Sequence, residues 1–321
     1  MSRRPFPVIA IEEHYWDHEL VSRLTGAEGS RSPAMLERLY DFGGVRIAEM
    51  DAAGIDVQVL SHGAPSGQKL PADIAPALIK GVNDRLAASI KPYPNRFAAF
   101  AALPTAAPEA AADELERCVR EHGFKGAMIH GLTNGEFHDL PKYWPIFARA
   151  AALDVPIYLH PSFPHPQVMD LYYSDYAEDF PQVIRAAWGY TVETATQAIR
   201  MVLSGVFQEH PGLKVVLGHM GETLPFVMWR VSQALSRPGH RRPINFRETF
   251  RKHFWITTSG NFSTPALQCS IAELGLDRIM FSVDWPFVEN APAVEWLDGL
   301  EMSESDKALL AGGVAKSLLK L

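Results

Sequence analysis

The stretch Val8-Ile9-Ala10-Ile11-Glu12-Glu13-His14 decides the fold class of this chain. Its apolar run is typical of a strand that is covered on both faces, as the strands of parallel sheets are. A doubly wound nucleotide-binding sheet would have a glycine-rich phosphate turn after its first strand. Here two carboxylates and an imidazole follow instead. The stretch therefore favours a barrel with polar site residues at its strand ends, and a doubly wound sheet is the second alternative.

Similar apolar runs recur along the chain, and helical segments separate them. The eight predicted strands are Val8–Ile11, Val57–Leu60, Phe97–Ala101, Gly126–Ile129, Val155–Leu159, Lys214–Gly218, Phe254–Thr258 and Arg278–Ser282. The predicted helices between them include Ile74–Ile90, Pro108–His122, Tyr143–Leu153, Tyr190–Glu209 and Thr264–Leu274. Alternation of this kind predicts a (β/α)8 TIM-type barrel that forms one domain over residues 1–321.

Three connections are much longer than the others. They are Tyr15–Gly44 after the first strand, Ser162–Gly189 after the fifth, and Ser236–His253 before the seventh. Connections of this length in a compact domain are usually functional. We therefore expect long loops at the C-terminal face of the barrel, where such enzymes bind their substrates.

Length and composition exclude several classes of protein. The chain has 321 residues, of which 47% are hydrophobic and 21% are charged, as in ordinary globular proteins. The formal net charge of -7 argues against a nucleic-acid partner, and two cysteines, Cys118 and Cys269, are too few for a disulfide framework. No run has the roughly 20 apolar residues of a membrane span, and none near the start is long enough for a signal peptide. We expect a cytoplasmic protein without a membrane partner.

Polar residues cluster at the predicted strand ends. Five of the twelve histidines fall there, namely His14, His62, His130, His160 and His219. Glu12 and His14 are two residues apart, which places both side chains on one face of a strand, and Glu13 on the other. Glu12 and His14, together with His160 and Asp284, predict a mixed nitrogen and oxygen site for a divalent metal ion. Strand four ends in His130 rather than in a lysine that could bridge two ions, which favours a single ion.

The motif Gly218-His219-Met220-Gly221-Glu222 predicts an acid–base pair beside this site. Glu222 lies three residues after His219 and can fix the tautomer and the basicity of its imidazole. Two alternatives remain at this point. His219 could be a fifth metal ligand, or Glu222 could cap the following helix.

Five motifs, in this order, resemble the amidohydrolase superfamily. They are Ile11-Glu12-Glu13-His14, Tyr158-Leu159-His160-Pro161, Gly218 to Pro225, Thr257 to Phe262 and Phe281 to Phe287. Within that superfamily they look like the non-oxidative aromatic acid decarboxylase branch, which includes gamma-resorcylate and 2,3-dihydroxybenzoate decarboxylases. The resemblance implies one Zn or Mn ion and an oligomer, a homodimer or a homotetramer.

The same resemblance assigns roles to individual residues. It implies that Glu12, His14, His160 and Asp284 are metal ligands and that His219 is catalytic with the support of Glu222. It also implies that Arg46 and Arg230 help to bind the substrate, in part across a subunit interface. His62 and His130 stand among the substrate-binding positions, where asparagines are usual in the family, and Ser162 stands where an arginine is usual.

These residues predict a carbon–carbon lyase that removes carbon dioxide from an ortho-hydroxybenzoate-like aromatic acid. Asp284 would be both a ligand and the acid that protonates the ring carbon, and a water-poor pocket would raise its pKa. A metal-dependent hydrolase of a lactone or an amide is the alternative, because the same ion could activate water. A barrel that only binds an aromatic ligand is the third possibility.

Overall fold

Eight parallel strands form the barrel in the computed structural model, which describes residues 4–24, 26–237, 239 and 244–321. The strands are β1 (Ile9–Tyr15), β2 (Val57–His62), β3 (Phe97–Ala99), β4 (Ala127–His130), β5 (Ile157–His160), β6 (Val215–Leu217), β7 (Phe254–Thr257) and β8 (Ile279–Met280). Helices separate them along the chain, so the predicted (β/α)8 barrel is confirmed. All eight predicted strands are present, although β1 continues to Tyr15 and thus includes Glu12, Glu13 and His14.

The barrel closes at two places where the regular pairing of strands is interrupted. One sheet has the order β1-β2-β3 and the other β4-β5-β6-β7-β8. A parallel bridge from Ala101 to Ala127 joins β3 to β4. On the other side β8 is short, and the segment after it pairs with β1. There the Asp284 amide donates to the Glu12 carbonyl at 3.1 Å, and the His14 amide donates to the Trp285 carbonyl at 2.7 Å.

The helices surround the barrel. Those of eight or more residues are Pro33–Tyr40, Val45–Ala53, Ala75–Ile90, Pro108–His122, Trp144–Leu153, Gly189–Ser204, Leu224–Leu235, Phe246–His253, Thr264–Leu274 and Asn290–Gly299. Shorter helices are His18–Val21, Pro166–Tyr172, Val206–Glu209, Glu304–Ala308 and Val314–Leu319. The helix predicted over Tyr190–Glu209 is divided at Gly205, whose φ of 98° ends the first helix in a left-handed residue. No described helix is long and apolar enough to cross a bilayer.

A β-bulge in β1 determines which of its side chains reach the site. Ile9 and Ile11 point into the barrel, where they pack with apolar side chains of the other strands. Strict alternation would place residue 13 on that face as well. The pairing of β1 with β2 shifts between Ala10 and Glu13, so the inward face continues instead with Glu12 and His14. The bulge therefore sets two polar side chains directly above the apolar barrel interior.

The three long connections contain short helices and loops at the edge of the barrel. The first includes His18–Val21 and Pro33–Tyr40, and the second includes Pro166–Tyr172. The third, predicted over Ser236–His253, is helical over Phe246–His253. Residues 238 and 240–243 of that connection lie outside the described part of the chain.

Candidate metal centre and acid–base pair

Glu12, His14, His160 and Asp284 meet at the mouth of the barrel. Each offers one ligand atom, and the four atoms lie within 4.8 Å of one another. His160 Nε2 is 3.1 Å from Glu12 Oε1, and His14 Nε2 is 3.2 Å from Asp284 Oδ1. These same four atoms are buried and have no hydrogen-bond partner in the described part of the chain. Buried polar atoms normally have partners, so two carboxylates and two imidazoles left open in this way fit a divalent cation.

Hydroxyl groups hold the Glu12 carboxylate so that only one of its oxygens faces the centre. Oε2 accepts hydrogen bonds from the hydroxyls of Tyr158, Ser259 and Thr257. A side chain at Gly218 would place its Cβ 2.6 Å from that oxygen, so the position tolerates only glycine. The second oxygen, Oε1, is thereby left free as a ligand.

Main-chain contacts fix the tautomer of the ligand His160. Its Nδ1 lies 2.7 Å from the Pro161 carbonyl oxygen, which can only accept a hydrogen bond. Nδ1 therefore carries the proton, and the lone pair of Nε2 points to the centre. His14 Nδ1 lies 3.1 Å from the Ser61 hydroxyl, which can either donate or accept, while its Nε2 faces Asp284. Both imidazoles thus direct Nε2 to the centre.

His130 lies behind His160 and supports it. The two Nδ1 atoms are 3.0 Å apart, so an unprotonated His130 Nδ1 can share the His160 Nδ1 proton with the Pro161 carbonyl. Burial, together with the neighbouring imidazole of His160, lowers the pKa of His130 well below its usual value, so its ring is neutral. The His130 side chain is almost fully buried, so it contacts the metal ligand His160 rather than the open space in which a substrate could bind.

We predict that His130→Leu weakens manganese binding about tenfold, the lower range for loss of a group that orients a ligand. His130→Asn keeps an acceptor oxygen and should bind nearly as tightly as the unaltered protein. Competition with a chelator measures both dissociation constants. His138→Leu is the control, because His138 is also buried but contacts Thr133 rather than a ligand. Equal affinities for the His130→Leu variant and the unaltered protein would contradict the assignment.

His219 and Glu222 form the predicted pair. His219 Nδ1 lies 2.7 Å from Glu222 Oε1, while its Nε2 lies 3.4 Å from Glu12 Oε1 and 3.9 Å from Asp284 Oδ2. Burial opposes the charge, but Glu12 and Glu222 outweigh it and raise the pKa of His219 well above its usual value. The imidazole is therefore a protonated group that faces two carboxylates. The contact with Glu222 orients the ring, as an acid–base pair requires.

This pair sits on a turn of unusual backbone. Residues 219–223 all have positive φ, between 50° and 73°. Non-glycine residues lose about 1 kcal/mol or more each in this left-handed region. The turn persists because its surroundings fix it: the His219 amide donates to Ser259 Oγ at 3.1 Å, and Gly221 packs so closely that a Cβ would lie 2.9 Å from Ile256.

The expectation of a raised pKa for Asp284 is wrong in this arrangement. Burial raises the pKa, but the facing imidazoles of His14 and His219 outweigh it and lower the pKa below its usual value. Asp284 is therefore ionised here. The proton beside it resides on His219, so the stored acid of the site is the imidazole.

Arg46 does not line the open site, contrary to the prediction. Its side chain is 0% exposed, and its guanidinium donates to the carbonyl oxygens of His14 and Asp41 and to Gln58 Oε1. It also lies 4.0 Å above the ring of Trp285. Burial lowers its pKa to about 9. This position supports β1 from the outside and leaves no donor exposed to a substrate.

Glu13 occupies the same outer layer, as its place on the strand predicts. Its carboxylate accepts from the amides of Val283 and Trp285, each at 3.0 Å, and burial raises its pKa to about 8. It therefore ties β1 to the segment that carries Asp284.

Within a single chain, neither His62 nor Arg230 is placed to contact a substrate, although both were predicted to do so. His62 Nδ1 donates to the Gly63 carbonyl, and its Nε2 accepts from the Asp17 amide, so neither ring nitrogen is left for a substrate. Burial lowers its pKa to about 4. Arg230 is exposed on the outer face of Leu224–Leu235, and its guanidinium forms no hydrogen bond with a described residue.

Tyr158, Thr257 and Ser259 are site residues whose roles the sequence did not indicate. Tyr158 lies within a strand of apolar residues and packs against Phe100, so it reads as a core residue. The signal for the other two is the pair of hydroxyls at the end of β7, and both hydroxyls contact Glu12 Oε2.

Comparison with known proteins agrees with this geometry. A profile of the amidohydrolase family matches residues 9–321. The chain is 39% identical over 331 aligned positions to the gamma-resorcylate decarboxylase of Rhodococcus jostii (strain RHA1), and the match covers 98% of each protein.

Two solved structures are similar over nearly their whole length. One is a 2,6-dihydroxybenzoate decarboxylase complexed with 2,6-dihydroxybenzoate, with a TM-score of 0.88, 38% identity, and coverage of 98% of this chain and 100% of that chain. The other is a dihydroxybenzoic acid decarboxylase from Polaromonas sp. JS666 with bound manganese and the inhibitor 2-nitroresorcinol. Its TM-score is 0.89 at 37% identity, with coverage of 98% of this chain and 97% of that chain. The chain therefore belongs to the amidohydrolase family.

Proposed function

We propose that this chain is a metal-dependent decarboxylase of hydroxylated aromatic acids, with an ortho-hydroxybenzoate as its substrate. The observation that carries the proposal is the convergence of Glu12, His14, His160 and Asp284 within 4.8 Å, next to a protonated His219. The similarity to decarboxylases over the full chain selects this reaction among those that such a centre can perform.

The four ligands would hold one divalent ion, and either manganese or zinc accepts this mixture of nitrogen and oxygen ligands. When bound, the ion supplies a Lewis acid that can bind the phenolate and the carboxylate of the substrate and fix the plane of its ring. Manganese is the first choice, because it is present in the similar structure from Polaromonas.

Asp284 and His219 would then manage the proton. Protonation of the ring carbon that bears the carboxylate makes the ring an acceptor for the electrons of the carbon–carbon bond. As that bond breaks, carbon dioxide leaves and its bonding electrons restore the aromatic ring. Asp284, ionised at rest, would take a proton from His219, whose Nε2 lies 3.9 Å from Asp284 Oδ2, and pass it to the ring carbon; His219 would then regain a proton from solvent. Glu222 would hold the imidazole in place and stabilise its charge.

Product analysis tests the proposal directly. Manganese-loaded protein is incubated with 2,6-dihydroxybenzoate labelled with carbon-13 in its carboxylate, and labelled carbon dioxide is expected together with the free phenol. The hydrolase alternative predicts instead a ring-opened acid from a lactone or a free amine from an amide. Release of those products without labelled carbon dioxide from any ortho-hydroxybenzoate would overturn the proposal.

We also propose that the active form is a homodimer or a homotetramer. Phe226 and Trp229 flank Arg230 on one helix face and are 83% and 65% exposed. Large exposed apolar side chains also occur on the second long connection: Leu171, Tyr172, Tyr176, Phe180 and Trp188. Such patches mark interaction surfaces, and a second copy covering this one would bring Arg230 to a neighbouring site.

We predict that Trp229→Glu dissociates the oligomer, because a carboxylate would be desolvated at a contact between two copies. Light scattering measures the mass in solution. Ile74→Glu is the control, since Ile74 is 41% exposed on a different part of the surface and should leave the mass unchanged. A monomeric mass for the unaltered protein would contradict the prediction.

The cytoplasm is the proposed location, without a nucleic-acid partner. Both cysteines are free thiols, as is usual in a reducing compartment. The net charge of -7 disfavours binding to a polyanion.

A further inference from the structure

Three hydroxyl groups form a layer between the apolar barrel interior and the metal centre. Tyr158 lies two residues before the ligand His160 on β5, so both side chains face the inside of the barrel. Thr257 ends β7, and Ser259 follows it by two residues. The Thr257 hydroxyl lies 2.9 Å from that of Tyr158 and 2.8 Å from that of Ser259. Tyr158, Thr257 and Ser259 therefore form one connected hydroxyl cluster, although they belong to strands that are not neighbours.

The hydroxyl cluster directs its protons to Glu12 Oε2. A carboxylate that binds a metal ion is ionised and can only accept hydrogen bonds. The Tyr158 hydroxyl donates to Oε2. Ser259 Oγ accepts from the His219 amide at 3.1 Å and donates its own proton to Oε2 at 2.5 Å, and Thr257 adds a longer contact of 3.3 Å. Oε2 is thus held by three donors, whereas Oε1 has no hydrogen-bond partner among the described residues.

The burial of Glu12 makes its orientation depend on these donors. Glu12 is 0% exposed, and the space left by one deleted hydroxyl is smaller than a water molecule needs, so solvent cannot replace a lost donor. A buried carboxylate oxygen without a partner is unfavourable. A cation bound at Oε1 is within reach of Oε2, because the two oxygens share one carbon atom. Loss of the hydroxyls would therefore turn Oε2 towards the ion.

We propose that the hydroxyl cluster keeps Glu12 a ligand through one oxygen only, and thereby preserves the two open positions on the ion that a chelating substrate needs. Manganese favours octahedral coordination by six ligand atoms. The four ligand residues each offer one atom, which leaves two positions for the phenolate and the carboxylate of an ortho-hydroxybenzoate. If Glu12 bound through both oxygens, it would occupy one of these positions. This inference rests on the proposed function, and it makes the members of the hydroxyl cluster positioning residues that act through Glu12.

Pulsed electron paramagnetic resonance of the manganese-loaded protein, in water enriched in oxygen-17, counts the water molecules on the ion. We expect two in the unaltered protein and one in the double variant Tyr158→Phe with Ser259→Ala, because the freed Oε2 takes the other position. Thr257→Val should lower the count in part of the molecules, whereas Thr257→Ser keeps a hydroxyl and should keep both waters. Tyr143→Phe is the matched control, because the Tyr143 hydroxyl contacts Glu136 rather than Glu12.

Calorimetric titration with two isomers measures the same property through the ligands of the ion. The hydroxyl and the carboxylate of 2-hydroxybenzoate can chelate the ion together, whereas those of 4-hydroxybenzoate are too far apart. We expect the unaltered protein to bind the ortho isomer about tenfold more tightly than the para isomer. The double variant should lose most of this preference and keep its affinity for 4-hydroxybenzoate within about twofold.

Three results would overturn the inference: one bound water in the unaltered protein, equal water counts in the unaltered protein and the metal-loaded double variant, or the same loss of water in Tyr143→Phe. If the double variant binds no manganese, the comparison of Thr257→Val with Thr257→Ser decides in the same way. Carbon dioxide release is measured separately. A water count and an isomer preference that depend on the hydroxyl cluster, without any release, support the inference and contradict the proposed function.

Discussion

Asp284→Asn is expected to reduce turnover by about a thousandfold, within the range for loss of a general acid. The amide can still offer an oxygen to a metal ion but can neither accept a proton from His219 nor pass one to the ring carbon. The variant should therefore keep much of its manganese while it loses carbon dioxide release. Steady-state kinetics and metal analysis of the same sample measure the two properties.

The control for this experiment is Asp277→Asn, which makes the same chemical change on an exposed carboxylate. It should have no effect on turnover. If the Asp284→Asn variant keeps near-normal turnover with metal bound, Asp284 is not the acid. His219 would then be the remaining candidate, because its Nε2 faces the same space.

Removal of the metal is expected to abolish turnover and to lower the thermal stability of the protein. Without a cation the carboxylates of Glu12 and Asp284 repel each other across the site. A bound ion stabilises only the folded state, by about 4 kcal/mol at a free concentration a thousand times its dissociation constant. Treatment with a chelator followed by calorimetry measures the loss, and added manganese should restore both activity and melting temperature.

Glu12→Gln provides the internal control. This variant loses a charged ligand and should bind metal poorly, so the chelator should hardly change its melting temperature. Full turnover in metal-free protein would contradict the assignment of the centre.

The positions of the site residues along the chain could be predicted, whereas the contacts of their ring nitrogens and donors could not. Glu12 and His14 lie two apart on a strand, and every strand ends at the same face of a barrel, so the sequence is enough to bring them near His160 and Asp284. His62 also lies at a strand end. Its two ring nitrogens nevertheless serve Gly63 and Asp17, which depends on the path of a loop.

Arg46 illustrates the same limit for a charged side chain. An arginine on a helix near a predicted site suggests a substrate contact. Its burial depends on Gln58, Trp285 and the carbonyl of His14, which belong to three distant parts of the chain. The pKa of Asp284 shows the same limit, because burial raises it while two imidazoles from other parts of the chain lower it by more.

The short strand β8 has a consequence for how this protein can change. The hydrogen bonds that join the end of the barrel to its beginning, between Glu12 and Asp284 and between His14 and Trp285, involve the main chain of three metal ligands. The hydrogen bonds that close the barrel are therefore formed by the same residues that would hold the metal ion. Substitutions in these segments would impair folding and catalysis together, whereas substitutions in the long connections would leave these hydrogen bonds intact.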